Sequence, residues 1–246
     1  MKKIKFALVK LPILSISLFF LSCIAAAYLH PGSEKEEIGF KSDHYSFTHN
    51  FLSELGELKT NTNQSNPAII QKKNTASMLL FNGGLILIGV TLMFFYIQFK
   101  EVFRVLNDSK KAQFYAQMSK PIGLLAGGFY AGIGLVPHDL NFSLHVFFAN
   151  GAFLILFLLC ILHSMTVYHS NLLNNQYVMG YLSFCVLLFV YLGILFFGPE
   201  IGPKKIFTEA EWMLQVIAQK SIVLTFMISI LHQVYGFDKL VHKNNF

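Results

Sequence analysis

Charge is scarce in this chain. Only 13% of its 246 residues are Asp, Glu, Lys or Arg, against about a quarter in an average soluble domain. Cysteine is sparse too: Cys23, Cys160 and Cys185 stand far apart inside apolar runs, with no CxxC spacing. That leaves neither a cysteine metal site nor a disulfide framework, and the three read as small buried hydrophobes. The sequence has no HExxH and no histidines at HxxxH spacing, so the usual helical ligand pair of a zinc hydrolase is missing. No internal repeat stands out, and the alternating ten-residue segments of a membrane β-barrel are not visible. The net charge of +6 comes from lysines spread over loops and ends. That spread suits membrane topology and anionic lipid and gives no sign of nucleic-acid binding.

What the chain has is apolar length. It is 54% hydrophobic with 26 Phe and a mean hydropathy of +0.53. Several runs reach the roughly 20 residues that cross about 30 Å of hydrocarbon. The expected fold is all-α: a polytopic transmembrane helical bundle, one membrane domain over 1–246 with six spans, at about 11–29, 76–99, 121–137, 144–168, 178–197 and 221–237. The start, with Lys2, Lys3, Lys5 and Lys10 before an apolar run, resembles a signal peptide, and Phe20-Leu-Ser-Cys23 is a loose lipobox. The run continues through Ala25–Ala27 to Leu29, so it is read as a retained first span. In the last run, burying Lys220 costs at least about 2.5–3.5 kcal/mol on insertion scales. That favours a span starting at Ser221 over one running from Ala210 through Lys220.

Six spans put both ends on one side. With the N-terminus inside, inner segments carry 11 Lys and Arg and outer ones 8, five of those in the long first loop. Long loops count weakly, so the basic N-terminus and the Lys100–Lys120 loop decide for N-in/C-in, in a prokaryotic cytoplasmic membrane. The third span is glycine-rich, and Gly123/Gly127 and Gly128/Gly132 have the small-xxx-small spacing that lets helices approach closely. The external loop, 30–75, contains Phe47, Phe51, Leu52 and Leu55 at helical spacing, which predicts a short interfacial helix over 45–56 stopped by Gly56.

Polar residues gather toward the outer side: His30, Ser53, Glu54, Asn82, His138, Asp139, His145, Glu200, Glu211 and Lys220. The turn Gly134-Leu-Val-Pro-His-Asp-Leu-Asn-Phe-Ser-Leu-His145 is the densest part, and ionisable groups at the edge of hydrocarbon usually have a function. Three readings stay open. His138, Asp139 and His145 fix helix ends, with Asp139 an N-cap-like residue for the fourth helix. Alternatively, Ser53, Glu54, Asn82, His138, Asp139, His145 and Lys220 form an outer-leaflet pocket for a lipid headgroup or small polar ligand. Or the protein is a membrane-embedded hydrolase, with Asp139 and His145 as candidate metal ligands. On the inner side His163 and His232 could serve as axial haem ligands, though lone intramembrane histidines are more often packing residues. Thr225, Ser229, His232 and Gln233 read as interhelical hydrogen-bonding glue. Neither cofactor nor catalytic residue is assigned. The partners implied are membrane lipids and either a small polar ligand or a protein at the 30–75 loop, the latter fitting a structural or sensor subunit.

Four pieces taken together resemble a known family: Asn50-Phe-Leu-Ser-Glu-Leu-Gly56, Leu80-Phe-Asn-Gly-Gly-Leu-Ile-Leu-Ile-Gly89, Gly134-Leu-Val-Pro-His-Asp139 with His145, and Gln219-Lys220. In order and spacing they are similar to the domain of unknown function 998 family of prokaryotic six-span membrane proteins, itself similar in plan to Frag, DRAM and Sfk type proteins. The resemblance covers about Ser46 to Gly236. It departs at His138, inserted between Pro137 and Asp139, and at Lys220, where an arginine is expected. It implies a fold and a membrane location without an activity, and the lipid-anchor remodelling of Frag-type relatives is fold-level analogy only.

Overall fold

A computed structural model of the chain describes residues 2–62, 64, 66–201 and 205–244. Six long helices carry the fold: α1 (Lys2–Leu29, with a π-helical turn at Phe6–Lys10), α2 (Thr75–Val105), α3 (Lys110–Leu135), α4 (Phe142–Tyr168), α5 (Gln176–Phe197) and α6 (Glu209–Lys243). Five of them, all but α3, are long and apolar enough to cross a bilayer. The chain is therefore an all-α helical bundle of the multi-pass integral membrane class.

Local chemistry sets the helix ends. Ser109 caps α3 by accepting from the Ala112 N–H at 3.1 Å, and Asn141 caps α4 by accepting from the Leu144 N–H at 3.0 Å. Thr208 and Glu211 form a reciprocal capping box on α6. The fourth helix is thus capped by Asn141, and the expectation that Asp139 would do this is corrected.

α3 runs between α2 and α4. It is longer than the expected 121–137 because Pro121 sits inside it and the helix starts at Lys110. The glycine spacing is used on two sides. A side chain at Gly123 would strike Tyr96, one at Gly127 would strike the Gly89 carbonyl of α2, and one at Gly132 would strike Phe148 of α4; Gly128 has room. Around this contact Phe95, Tyr96, Phe99, Phe103, Tyr181, Phe184 and Phe237 are fully enclosed. At the far end of the bundle, buried Asp108 accepts from the Ser170 hydroxyl at 2.5 Å and the Asn171 N–H at 2.8 Å, tying the α2–α3 and α4–α5 connections together.

The described residues of segment 30–74 fold back as a cap over the other end. β1 (Ser33–Lys35) pairs antiparallel with β2 (Phe40–Ser42), and β3 (Lys59–Thr60) with β4 (Lys72–Lys73). The expected helix over 45–56 is not formed. Residues 47–50 make a turn and Leu52–Gly56 a single 3-10 helix. The reason lies in its polar groups: Asn50 and Glu54 are buried at 0% and 7% exposure, and a regular amphipathic helix on the interface would have put them in water.

The last helix also differs from expectation. α6 is continuous from Glu209, so Ser221 is not its start, and Lys220 lies within it at 7% exposure. Its ammonium is not stranded. It donates to the Phe47 carbonyl and, at 2.5 Å, to the Asn50 carbonyl, and lies 5.0 Å and 4.8 Å from the Tyr45 and Phe47 ring centres. Partners supplied by the cap offset the desolvation that argued against burial.

Candidate functional site

The cap is built around one buried ion pair. Lys35 Nζ lies 2.8 Å from Glu54 Oε2, and the same carboxylate accepts from Asn50 Nδ2 at 2.5 Å and from the Phe51 N–H at 2.9 Å. Burial opposes charge on Glu54, but Lys35 and these donors together hold its carboxyl below the usual glutamate value. Asn50 also donates to Ser33 Oγ at 2.7 Å, closing the ring of contacts.

Two helices clamp this turn. From α2 and the residue before it, Asn74 donates to the carbonyls of Glu54, Leu55 and Glu57, Ser77 to Leu55, and Asn82 to Gly56. A Cβ on Gly56 would overlap Asn82 Oδ1, so glycine is required where the turn meets α2. From α6, Trp212 Nε1 donates to the His49 carbonyl at 2.7 Å, and Gln219 Oε1 accepts from the Leu52 N–H at 2.8 Å. From the α3–α4 connection, Asp139 accepts from the N–H groups of Leu58 and Lys59 at 2.9–3.0 Å.

Behind the ion pair lies a second polar group. The Glu57 carboxylate stands between two imidazoles, 3.3 Å from His138 Nε2 and 3.7 Å from His30 Nε2. Burial disfavours the charged form of His138, but Glu57, with Glu54 and Asp139 further off, outweighs it and raises its pKa above the ordinary 6.5. Glu57 Oε1, His30 Nε2 and His138 Nδ1 are buried and have no hydrogen-bond partner among the described residues. The His138 ring stands edge-on to His145, 5.8 Å between centres.

A polar cavity of about 240 Å³ opens between cap and bundle, lined by Lys35, Ser53, Glu54, Glu57, His138, His145, Trp212 and Gln219 among others. Directly beneath it a smaller cavity of about 90 Å³ reaches into the bundle between Phe81, Leu85, Ile88, Tyr130, Phe226 and Met227. The two share Ser53, His145, Ala149 and Gln219. A third, of about 370 Å³, runs along α1 and α6 past Phe20, Cys23, Ile24 and Leu224, and shares Phe19, Leu52, Val223 and Met227 with the central one.

The candidate residues therefore divide. Ser53, Glu54, His138 and His145 line the polar cavity. Asn82, Asp139 and Lys220 do not; each spends its polar atoms on the cap backbone. The Asp139 oxygens are taken by Leu58 and Lys59, while His145 is held through Nδ1 by the Val136 carbonyl at 2.7 Å, which leaves its Nε2 free. Among the described residues no group of three or more His, Cys, Asp or Glu is placed to hold a metal ion. His163 is unsuited to haem, since its two ring nitrogens meet Tyr96 Oη at 3.1 Å and Gln233 Oε1 at 3.2 Å. Gln233 in turn donates to the Tyr177 carbonyl at 2.8 Å, the interhelical role expected of it, while Thr225 bonds its own helix at Ser221.

Comparisons of the chain with protein-family models, curated proteins and solved structures find no match. The site thus rests on its own geometry. Sequence reasoning missed Glu57, Lys35 and Trp212, and took Gln219 only as part of a dipeptide. Lys35 and Glu54 are 19 positions apart, on different short elements, β1 and the Leu52–Gly56 3-10 helix, whose spacing does not predict their meeting.

Proposed function

We propose that the protein holds a membrane amphiphile, with its polar end under the cap and its apolar part in the bundle. The observation that carries this is the stacked pair of cavities. The upper is rich in carboxylates, imidazoles and amides, the lower is almost wholly apolar, and Ser53, His145, Ala149 and Gln219 stand at the boundary of both. A small polar metabolite would leave the lower cavity empty, and a plain hydrocarbon would leave the buried Glu57 Oε1 and His138 Nδ1 without hydrogen-bond partners. A lipid headgroup with an attached chain meets both needs. In this reading the chain is a six-span protein of a prokaryotic cytoplasmic membrane with both ends inside, α3 being the enclosed sixth span and the cap facing outward.

The resemblance to the domain of unknown function 998 family belongs to the same proposal, and the contacts support it. The four pieces meet in space: Asn82 of the second bonds Gly56 of the first, Gly134 of the third lies against the Asn82 backbone, and Gln219 and Lys220 of the fourth bond Leu52 and Asn50.

Mass spectrometry of lipid retained after purification in mild detergent tests the reading. Wild type should keep a defined amphiphile, and Ala149→Phe, which fills the boundary, should retain at least about tenfold less, the effect of roughly 1.4 kcal/mol of overpacking. Equal retention by folded Ala149→Phe, or no selective lipid on the wild type, would defeat it.

A further inference from the structure

The residues at the boundary of the two cavities carry more chemistry than binding needs. The Leu52–Gly56 turn is held at almost every position. Leu52 N–H is taken by Gln219, Glu54 by Lys35 and Asn50, the Leu55 carbonyl by Asn74 and Ser77, and the Gly56 carbonyl by Asn82. Ser53 is the exception: its hydroxyl makes no hydrogen bond among the described residues and faces both cavities. A rigid turn fixes that hydroxyl in place, one requirement of a nucleophile.

His145 has a matching form. Its Nδ1 lies 2.7 Å from the Val136 carbonyl, which can only accept, so Nδ1 carries the proton. In the neutral ring Nε2 is then the free lone pair. Gln219 is oriented in the same way. Its Oε1 accepts from Leu52 N–H, which leaves the amide NH2 unbonded among the described residues on a side chain that lines both cavities. Of the four residues common to the two cavities, three are thus a free hydroxyl, a histidine with a basic nitrogen available, and an amide donor.

We propose that Ser53, His145 and Gln219 form a metal-independent acyl-ester hydrolase centre at this boundary. The inference rests on the amphiphile reading, because a bound lipid with an ester between head and chain places its carbonyl at the junction. Ser53 Oγ attacks that carbon as its proton passes through one bridging water to His145 Nε2, since the two groups line the same cavities without a direct hydrogen bond, and the Gln219 amide donates to the developing oxyanion. The ester C–O bond breaks, the leaving alcohol takes the proton from His145, and the acyl group stays on Ser53. Water then attacks the acyl-serine, His145 receives and returns the proton, and the fatty acid leaves with Ser53 restored. Electrons and atoms balance with water as the only co-reactant. His138, edge-on to His145 and paired with Glu57, is a positioning residue.

The test uses the full chain in detergent and a fluorophosphonate probe, with peptide mass spectrometry to locate the adduct and a fluorogenic medium-chain ester to read turnover. The expected result is one adduct on Ser53, absent in Ser53→Ala, with turnover lost alongside. His145→Asn, whose amide can still donate to Val136, should label and turn over at least about 10²-fold more slowly, the usual range for a lost general base. Gln219→Leu should lower kcat rather than raise KM. Wild type that is folded and retains its lipid yet takes no probe at Ser53 would overturn this inference while leaving the binding proposal standing. Full labelling of His145→Asn would overturn the role of the histidine. If Ser53 reacts while no lipid is retained, the role of Ser53 as nucleophile stands, while the binding reading and the lipid-ester substrate drawn from it fall.

Discussion

Glu54 and His138 hold charge in opposite senses, and their response to pH separates them. Glu54 has a carboxyl pKa lowered chiefly by Lys35 against the pull of burial. Its contribution to stability is complete above about 4.5 and is lost only as pH falls through that lowered value. His138 has a raised pKa, so its contribution is complete below 6.5 and is lost as pH climbs through the raised value. Between pH 5 and 8 the cap should therefore lose stability with rising pH, and the loss should vanish in His138→Gln. Proteolysis of the 30–74 segment at fixed protease activity reads this, and a slope that persists in the variant would remove His138 from the account. Neither residue's partner was legible from sequence. Glu54 was singled out for its position; Asn50 stands four residues before it, but Lys35 reaches it from β1, 19 positions away, where no spacing rule applies. Asp139 was noticed for its charge and proved to hold two backbone N–H groups, a use of carboxylate that sequence does not distinguish from a ligand.

At the scale of elements, the helices were readable because hydrocarbon demands length, and the apolar runs supply it. The errors fall where polar groups are satisfied by a neighbour that sequence cannot place. α6 passes through Lys220 because cap carbonyls receive its ammonium. α3 begins ahead of Pro121 because the first turns of that helix include Lys110 and Lys111, which the apolar count had excluded. The glycine spacing was informative, though not uniformly. Gly127 faces the Gly89 carbonyl while Gly128 meets only open space near Met93. Gly127→Val should cost about 1–3 kcal/mol or more by forcing α2 and α3 apart, whereas Gly128→Ala should be close to neutral. Thermal midpoints in one detergent compare them, and similar losses at both positions would show that helix propensity, rather than contact, sets the need for glycine.

For the whole molecule, the cavities form a series. The polar one joins the central one at Ser53 and Gln219, and the central one joins the groove along α1 and α6 at Phe19, Leu52, Val223 and Met227. An apolar chain can follow the second junction sideways without crossing water. Its supply is then a two-dimensional solute, and occupancy should follow its mole fraction among surrounding lipids rather than its amount per volume of buffer. Diluting a fixed quantity of retained amphiphile with inert lipid in proteoliposomes should empty the site, while diluting the same vesicles in buffer should not. A headgroup stripped of its chain should fail to compete at any practical concentration. If buffer dilution alone emptied the site, the path would lead through the cap and not through the groove. On the proposed amphiphile reading, the bilayer is the reservoir that sets how much ligand the protein sees.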